Sequence, residues 1–312
     1  MASRRHFLKS AGALGAASLT GLAGCIGQFG EQPYVDGKIK FLMSPTEPQD
    51  QMQAQYDPIG ERLNNYIETV ENVEMQYAAN YSATLEAMKS GTGDVAETGP
   101  FAAALGVDTD KAKILLQRHG YGSWTYHSVI VTREGSDIES LSDLEGKKVA
   151  FADPLSASGS LYPLYMLKDA GLSVPDQPGS PEGADFEPTW SAHSNAFQAV
   201  MNEQADAAGV GRFITWSYEN SDYKEGVKEV AIESGIPRAP IVVSPELSDE
   251  EQNKIKQAFT EAGDSLYLGA DGEEGTDDDL WFDGVRPADA STYQPVVDVA
   301  NELGYGQEIF EN

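Results

Sequence analysis

The segment Ser156-Ala157-Ser158-Gly159-Ser160 places three hydroxyl side chains and a glycine in one short run. It follows a β-like stretch, Lys148-Val149-Ala150-Phe151-Ala152, that closes on Asp153-Pro154. It precedes a helix expected over Ser160 to Ala170, which Gly171 stops and in which Pro163 falls in the first turn. At a helix N-terminus the first backbone N–H groups lack intrahelical acceptors, and the helix dipole adds partial positive charge. Short hydroxyls beside such groups suit an oxyanion, which offers several acceptor oxygens to several small donors. No lysine lies between Lys148 and Lys168, and none is needed. The same residues would also serve as an ordinary N-cap with a flexible loop. Tyr81 and His193 bear on the choice, because each opens a short amphipathic pattern and each can donate to an anion. Singly, Tyr81 is explained as a packing aromatic and His193 as a surface residue. As a symmetric pair beside the serine segment, they point to an anion held between two walls.

The elements that would position these residues occur twice. Ile39-Lys40-Phe41-Leu42-Met43 ends in Ser44-Pro45-Thr46, as Lys148 to Ala152 ends in Asp153-Pro154-Leu155-Ser156. Asn80 to Met88 leads to Gly93-Asp94-Val95-Ala96, as Ala192 to Val200 leads to Ala205-Asp206-Ala207-Ala208. Tyr81 is as far from Asp94 as His193 is from Asp206. The repeated order of strand, helix and small-residue strand predicts α/β layering in two similar halves. Further elements fit. A helix is expected over Tyr56 to Val70, with Ile59, Leu63 and Tyr66 on one face. Ser128 to Thr132 and Ile241 to Val243 read as strands. Ser248-Asp249-Glu250-Glu251 is a capping box opening a helix to about Ala262. The acidic stretch from Gly269 to Asp283 could hold calcium, but it lacks EF-hand spacing and reads better as a solvated loop.

The N-terminus is an address. Ser3-Arg4-Arg5-His6-Phe7-Leu8-Lys9 is followed by no charge before Glu31, and Leu22-Ala23-Gly24-Cys25 supplies a lipoprotein cleavage box. The stretch is too rich in Gly, Ala, Ser and Thr to read as a membrane span. Cleavage before Cys25, the only cysteine, would leave a lipid-anchored domain with no disulfide. Against 50 acidic residues stand 21 basic ones, a net charge of −29, with 40% of residues hydrophobic. That apolar content disfavours disorder, and acids spread along the chain suit a surface adapted to strong salt. No basic stripe exists for nucleic acid. Four histidines, one of them in the signal, are too few for a zinc site, and no cofactor is expected. No Gly-x-Ser-x-Gly, Walker or His-Glu-x-x-His pattern marks an enzyme.

At these residues the chain resembles the phosphate/phosphite/phosphonate-binding proteins of ABC importers. The resemblance runs from about Lys38 to Phe259. Its points are Phe41 to Glu47, Tyr81-Ser82-Ala83, Asp94-Val95-Ala96 with Gly99-Pro100, and Thr125 to Val129. They continue through Phe151 to Pro154 with Ser156 to Gly159, His193, and Ile236-Pro237 with Pro240-Ile241-Val242. It implies an α/β, two-lobed periplasmic-binding-protein fold of type II, each lobe a mixed sheet flanked by helices. Residues 1–24 would be the signal and 25–35 a tether. Residues 36–126 with 241–312 would form one lobe and 127–240 the other, with crossovers near Tyr126 and Pro240. The implied protein is a monomeric, lipid-anchored receptor serving a membrane permease, and not an enzyme. The implied ligand set is Ser156, Ala157, Ser158, Gly159, Ser160, His193 and Tyr81, with Thr98, Tyr126 and Arg238 nearby. The chain departs from the family at Ala157, where threonine is usual, and at Thr98, where tyrosine is usual. Phe213 and Ala239 stand where aminoalkylphosphonate binders carry carboxylates, which favours phosphite, phosphate or methylphosphonate. The competing readings are another small anion, a heteroaromatic solute stacked on Trp124, Tyr126 or Trp190, and a secreted hydrolase or transferase.

Overall fold

A computed structural model describes residues 37–218 and 220–306; the twin-arginine segment, Cys25 and the tether lie outside the described residues. The first half runs β1 (Lys38–Met43), α1 (Gln49–Tyr66), β2 (Asn72–Tyr77), α2 (Tyr81–Lys89), β3 (Val95–Glu97), α3 (Pro100–Asp108) and β4 (Lys113–His119). The chain then passes into β5 (Thr125–Arg133), β6 (Lys148–Phe151), α4 (Tyr162–Asp169), β7 (Glu187–Trp190), α5 (His193–Met201) and β8 (Ala207–Gly211). The short α6 (Arg212–Thr215), the β9 (Trp216–Ser217) and β10 (Asp222–Tyr223) hairpin, and the long β11 (Val227–Pro237) complete that part. It returns through β12 (Pro240–Val243), α7 (Asp249–Thr260), β13 (Gly284–Pro287) and α8 (Gln294–Leu303).

Two mixed sheets result, in the orders β13-β4-β12-β3-β1-β2 and β11-β5-β8-β6-β7. Each is built on the same unit. β1 pairs in parallel with β2 and β3, and β6 pairs in parallel with β7 and β8. An antiparallel strand follows in each, β12 on β3 and β5 on β8. The aspartates that echo in the sequence make the same clamp. Asp94 Oδ2 accepts the Lys40 N–H at 2.7 Å, and Asp206 Oδ2 accepts the Lys148 N–H at 2.8 Å. The inner parallel strands β3 and β8 are buried throughout, as helical crossovers on both faces require, while the edge strands β2 and β7 are partly exposed. Among the described residues, no helix is long and apolar enough to cross a membrane.

Two details differ from expectation. Helix α1 spans Gln49–Tyr66 and not Tyr56 to Val70. Pro58 lies inside the helix and leaves the Ala54 carbonyl without its usual donor. Burial of Met52, Tyr56, Ile59 and Leu63 on one face outweighs that loss. Next, the helix expected from Ser160 starts earlier, as a wide turn over Ala157–Leu161 that runs into α4. Gly171, at φ +93°, ends it. The sheet crossovers fall at residues 120–124 and 238–239, beside the expected Tyr126 and Pro240. Tyr126 pairs with Ile236 in the second sheet, and Pro240 pairs with Gln117 in the first. The Ser248 capping box forms as expected, with the Ser248 hydroxyl accepting the Glu251 N–H at 3.3 Å and Glu251 accepting the Ser248 N–H at 2.6 Å. In the Gly269 to Asp283 stretch the carboxylates bind the loop's own backbone. Asp278 accepts the Asp271 N–H at 3.0 Å and Asp279 the Gly275 N–H at 2.6 Å.

Candidate functional site

The serine turn is built from the end of β6. The Asp153 carboxylate accepts the Leu155 N–H and its carbonyl accepts the Ser156 N–H, both at 2.8 Å. Ser156 then caps the turn, its Oγ accepting the Gly159 N–H at 3.1 Å. The turn widens because the Ser160 and Leu161 N–H groups both reach the Ser156 carbonyl. Gly159 is required by close approach. A Cβ there would meet the Ala152 Cβ at 2.2 Å and the His193 ring at 2.7 Å. Within the expected ligand set, Gly159 and Ser160 are engaged inside the turn itself. The Gly159 N–H is spent on Ser156, and the Ser160 hydroxyl turns to the Ala152 and Asp153 carbonyls, at 3.2 and 2.9 Å. Those two residues shape the turn, while Ser156, Ala157 and Ser158 line the cavity.

His193, the first residue of α5, fixes the role of Ser156. The Gly211 N–H donates to His193 Nδ1 at 3.1 Å, so Nδ1 carries no proton. Burial holds the imidazole neutral, with its pKa lowered to about 4. The ring proton therefore sits on Nε2, which lies 3.0 Å from Ser156 Oγ and donates to it. Ser156 Oγ thus accepts from both His193 and Gly159, leaving its own O–H free to point into the cavity as a donor. A neutral ring also has a pH signature. Above pH 6.5 neither the folded nor the unfolded state carries the proton. As pH falls from 6.5 towards 4 the unfolded chain binds a proton that the fold rejects, so stability declines through that window. In NMR titrations the His193 ring should stay neutral to about pH 4; protonation near pH 6.5 would contradict the assignment.

The opposite wall comes from the first sheet. Tyr81 opens α2, whose cap is the Asn80 side chain accepting the Ala83 N–H at 2.8 Å. Tyr81 is 6% exposed and lines the cavity, as do Thr98, Tyr126 and Arg238. Thr98 Oγ1 is buried with no hydrogen-bond partner among the described residues, which leaves it for a ligand. Burial pushes the Tyr126 phenol up to about 12, opposed by hydrogen bonds from the Ser158 side chain and backbone. Burial also raises the Asp153 carboxyl, opposed by the N–H groups of Leu155 and of Tyr81 from the facing wall. Arg238 donates through Nε to the Ser123 carbonyl at 2.9 Å and lies over the rings of Tyr121, Tyr126 and Trp281. It makes no ion pair with a described carboxylate, so its charge remains available to an anion.

Sequence reasoning missed Glu97, Arg118 and Trp281, all of which line this cavity of about 90 Å³. Glu97 Oε2 accepts from Arg118 Nη2 at 2.9 Å, and Oε1 accepts the Ser44 N–H at 2.5 Å. Arg118 also donates to the Tyr56 hydroxyl at 2.8 Å and the Ala239 carbonyl at 3.1 Å. Burial raises the Glu97 carboxyl, and Arg118 and the Ser44 N–H oppose it. The available signal was a carboxylate directly after the apolar Val95-Ala96. Phe213 and Ala239 line the cavity, yet carboxylates do too: Glu97, neutralised by Arg118, and the half-buried Glu47. Of the rings considered for stacking a heteroaromatic solute, only Tyr126 lines the cavity. Trp124 packs on His119 at 4.8 Å, and Trp190 stacks on Phe151 at 5.5 Å.

Two α/β sheets of repeated topology, with a donor-lined cavity between their helix N-termini, define a two-lobed solute-binding protein. A profile of the family described as "ABC transporter, phosphonate, periplasmic substrate-binding protein" matches residues 41–293. The chain belongs to that family. Residues 1–21 match the twin-arginine translocation pathway signal, which indicates export. The phosphate-import protein PhnD of Mycolicibacterium smegmatis is 30% identical over 283 residues, covering 85% of this chain and 86% of the relative. A binding-protein component of an ABC phosphonate transporter from Pseudomonas aeruginosa superposes with a TM-score of 0.69 at 23% identity, over 88% of this chain and 87% of that one. PhnD1 from Prochlorococcus marinus, solved with methylphosphonate, superposes with a TM-score of 0.64 at 16% identity, over 86% and 99%.

Proposed function

We propose that this chain captures phosphite, phosphate or a small phosphonate such as methylphosphonate and presents it to an ABC permease. The observation that carries the reading is the Ser156 hydroxyl, held as a donor by His193 and Gly159 in the cavity that also holds Ser158, Tyr81, Thr98 and Arg238. The cavity of about 90 Å³ suits a small tetrahedral head. The Mycolicibacterium relative imports phosphate and the Prochlorococcus structure holds methylphosphonate, which supports the same ligand class here. Isothermal titration of the purified chain in molar salt tests it. Phosphite, phosphate or methylphosphonate should bind one to one without turnover, and 2-aminoethylphosphonate more weakly. Failure of all these anions to bind overturns the reading. If the aminoalkyl ligand is tightest, the reading of Phe213 and Ala239 and with it the ligand choice is wrong. Product formation would favour the hydrolase.

In this reading residues 36–126 with 241–312 and residues 127–240 close as two lobes of a monomer. A lipid on Cys25 holds it at the outer face of the membrane. Mass spectrometry of the mature N-terminus checks the anchor, and an unmodified terminus elsewhere refutes it. The net charge of −29 gives a further expectation. Screening length grows from about 3 Å at 1 M salt to about 30 Å at 0.01 M, so self-repulsion should unfold or lower the melting temperature of the protein on dialysis. Circular dichroism during dialysis reads this. A melting temperature unchanged from molar to millimolar salt contradicts a salt-adapted surface.

A further inference from the structure

A second cavity, of about 210 Å³, lies beyond the wall that Tyr126, Phe213 and Arg238 give to the first; these residues line both. Arg212 and Trp216, on α6 and β9, line only the second. Its charge runs against that of the chain. Arg212 and Arg238 face it, beside a His127 imidazole whose pKa burial and the two arginines hold below the usual range, and no carboxylate lines it among the described residues, although acids outnumber bases 50 to 21 overall. Neither arginine pairs with a described carboxylate. Arg212 Nε is buried with no hydrogen-bond partner among the described residues, a state that a bound acceptor would relieve. The Arg212 guanidinium lies 3.4 Å from the Trp216 ring centroid. Such a contact holds a cation in place without neutralising it. Tyr121 and Tyr218 stack at 4.0 Å, with planes 3° apart, as another part of the wall. Positive charge enclosed by flat rings suits an anion carried on a planar body.

We propose that this cavity is a second ligand site, for an aromatic anion such as an aryl carboxylate or aryl phosphonate, with Arg212 as its main charge partner and Trp216 and Tyr218 among its walls. For a free anion the proposal stands apart from the oxyanion reading; for a phosphonate tail it rests on that reading. The occupant is either a free aromatic anion or the ring of a phosphonate whose head fills the first cavity. The wild-type protein is titrated with methylphosphonate, benzoate and phenylphosphonate at fixed ionic strength, by calorimetry and tryptophan fluorescence. Benzoate saturating a protein already full of methylphosphonate supports a free anion. Phenylphosphonate displacing methylphosphonate and binding more tightly, with benzoate silent, supports a tail. In either case Arg212→Gln should weaken the aromatic ligand by about tenfold or more and leave methylphosphonate within about twofold. Trp216→Leu, with circular dichroism to confirm folding, is the second variant. The proposal is overturned if benzoate does not saturate the wild type and phenylphosphonate binds no tighter than methylphosphonate, or if both variants bind the aromatic ligand unchanged. Benzoate binding without any methylphosphonate binding would sustain this site and sink the oxyanion reading alone.

Discussion

Glu97→Leu should destabilise the fold by about 3–5 kcal/mol, because it strands the Arg118 guanidinium, 1% exposed, without its carboxylate. Nothing else described within ion-pairing distance replaces Glu97; the remaining partners of Arg118 are the Tyr56 hydroxyl and the Ala239 and Thr98 carbonyls. For a domain of this size such a loss lowers the melting temperature by roughly 10 °C. The double variant Glu97→Leu/Arg118→Met should recover more than half of it, since a buried pair exchanged for apolar groups is often neutral. Thermal melts of the single and double variants measure both numbers. A single variant within about 1 kcal/mol of wild type would mean that the pair is not held in a low-dielectric interior.

Ser156→Ala should damage binding and stability together, whereas Ser158→Ala, whose lost hydroxyl meets Tyr126 alone among the described residues, should damage binding with the smaller loss of stability. Removing Ser156 Oγ leaves the buried Gly159 N–H and His193 Nε2–H without an acceptor, at about 1–3 kcal/mol each. It also deletes a donor to the anion, and a hydrogen bond to a charged oxygen contributes about 1.5–3 kcal/mol. Affinity should therefore fall on the order of tenfold to a hundredfold in either variant. His193→Ala should weaken binding too, because the Ser156 hydroxyl is then no longer constrained to donate into the cavity. Calorimetry paired with melts separates the two kinds of loss. Ser156→Ala binding within about threefold of wild type would remove the serine turn from the site.

The repeated strand-helix-strand unit was legible because its signals are local. Tyr81 to Asp94 and His193 to Asp206 carry helix spacing, a small-residue strand and the clamp aspartate within one short segment. The true start of α1 was hidden for the opposite reason: tertiary burial of Met52 and Tyr56 carries the helix through Pro58, a strong local breaker. The Glu97–Arg118 pair was out of reach because neither strand touches the other. β3 and β4 become near neighbours only when β12, from far along the chain, inserts between them. Ser160 was expected at the ligand through its backbone N–H at a helix N-terminus. Its rotation towards the Ala152 and Asp153 carbonyls follows from the wide turn, which Ser-Ala-Ser-Gly-Ser does not announce.

The twin aspartate clamps have a mechanical consequence. Asp94 and Asp206 each stitch the start of a central strand to the strand beside it, through side chain and backbone at once. Each sheet is thus braced where its own parallel strands begin, and bending within a sheet would break two bonds for every clamp that opens. Rotation of one sheet against the other breaks neither clamp. Such a rotation turns about the two connections at residues 120–124 and 238–239, where Tyr121 and Gly122 hold φ of +50° and +71°, and it must also shift α8 against α4, where Tyr162 and Lys168 donate to the Pro295 and Glu302 carbonyls.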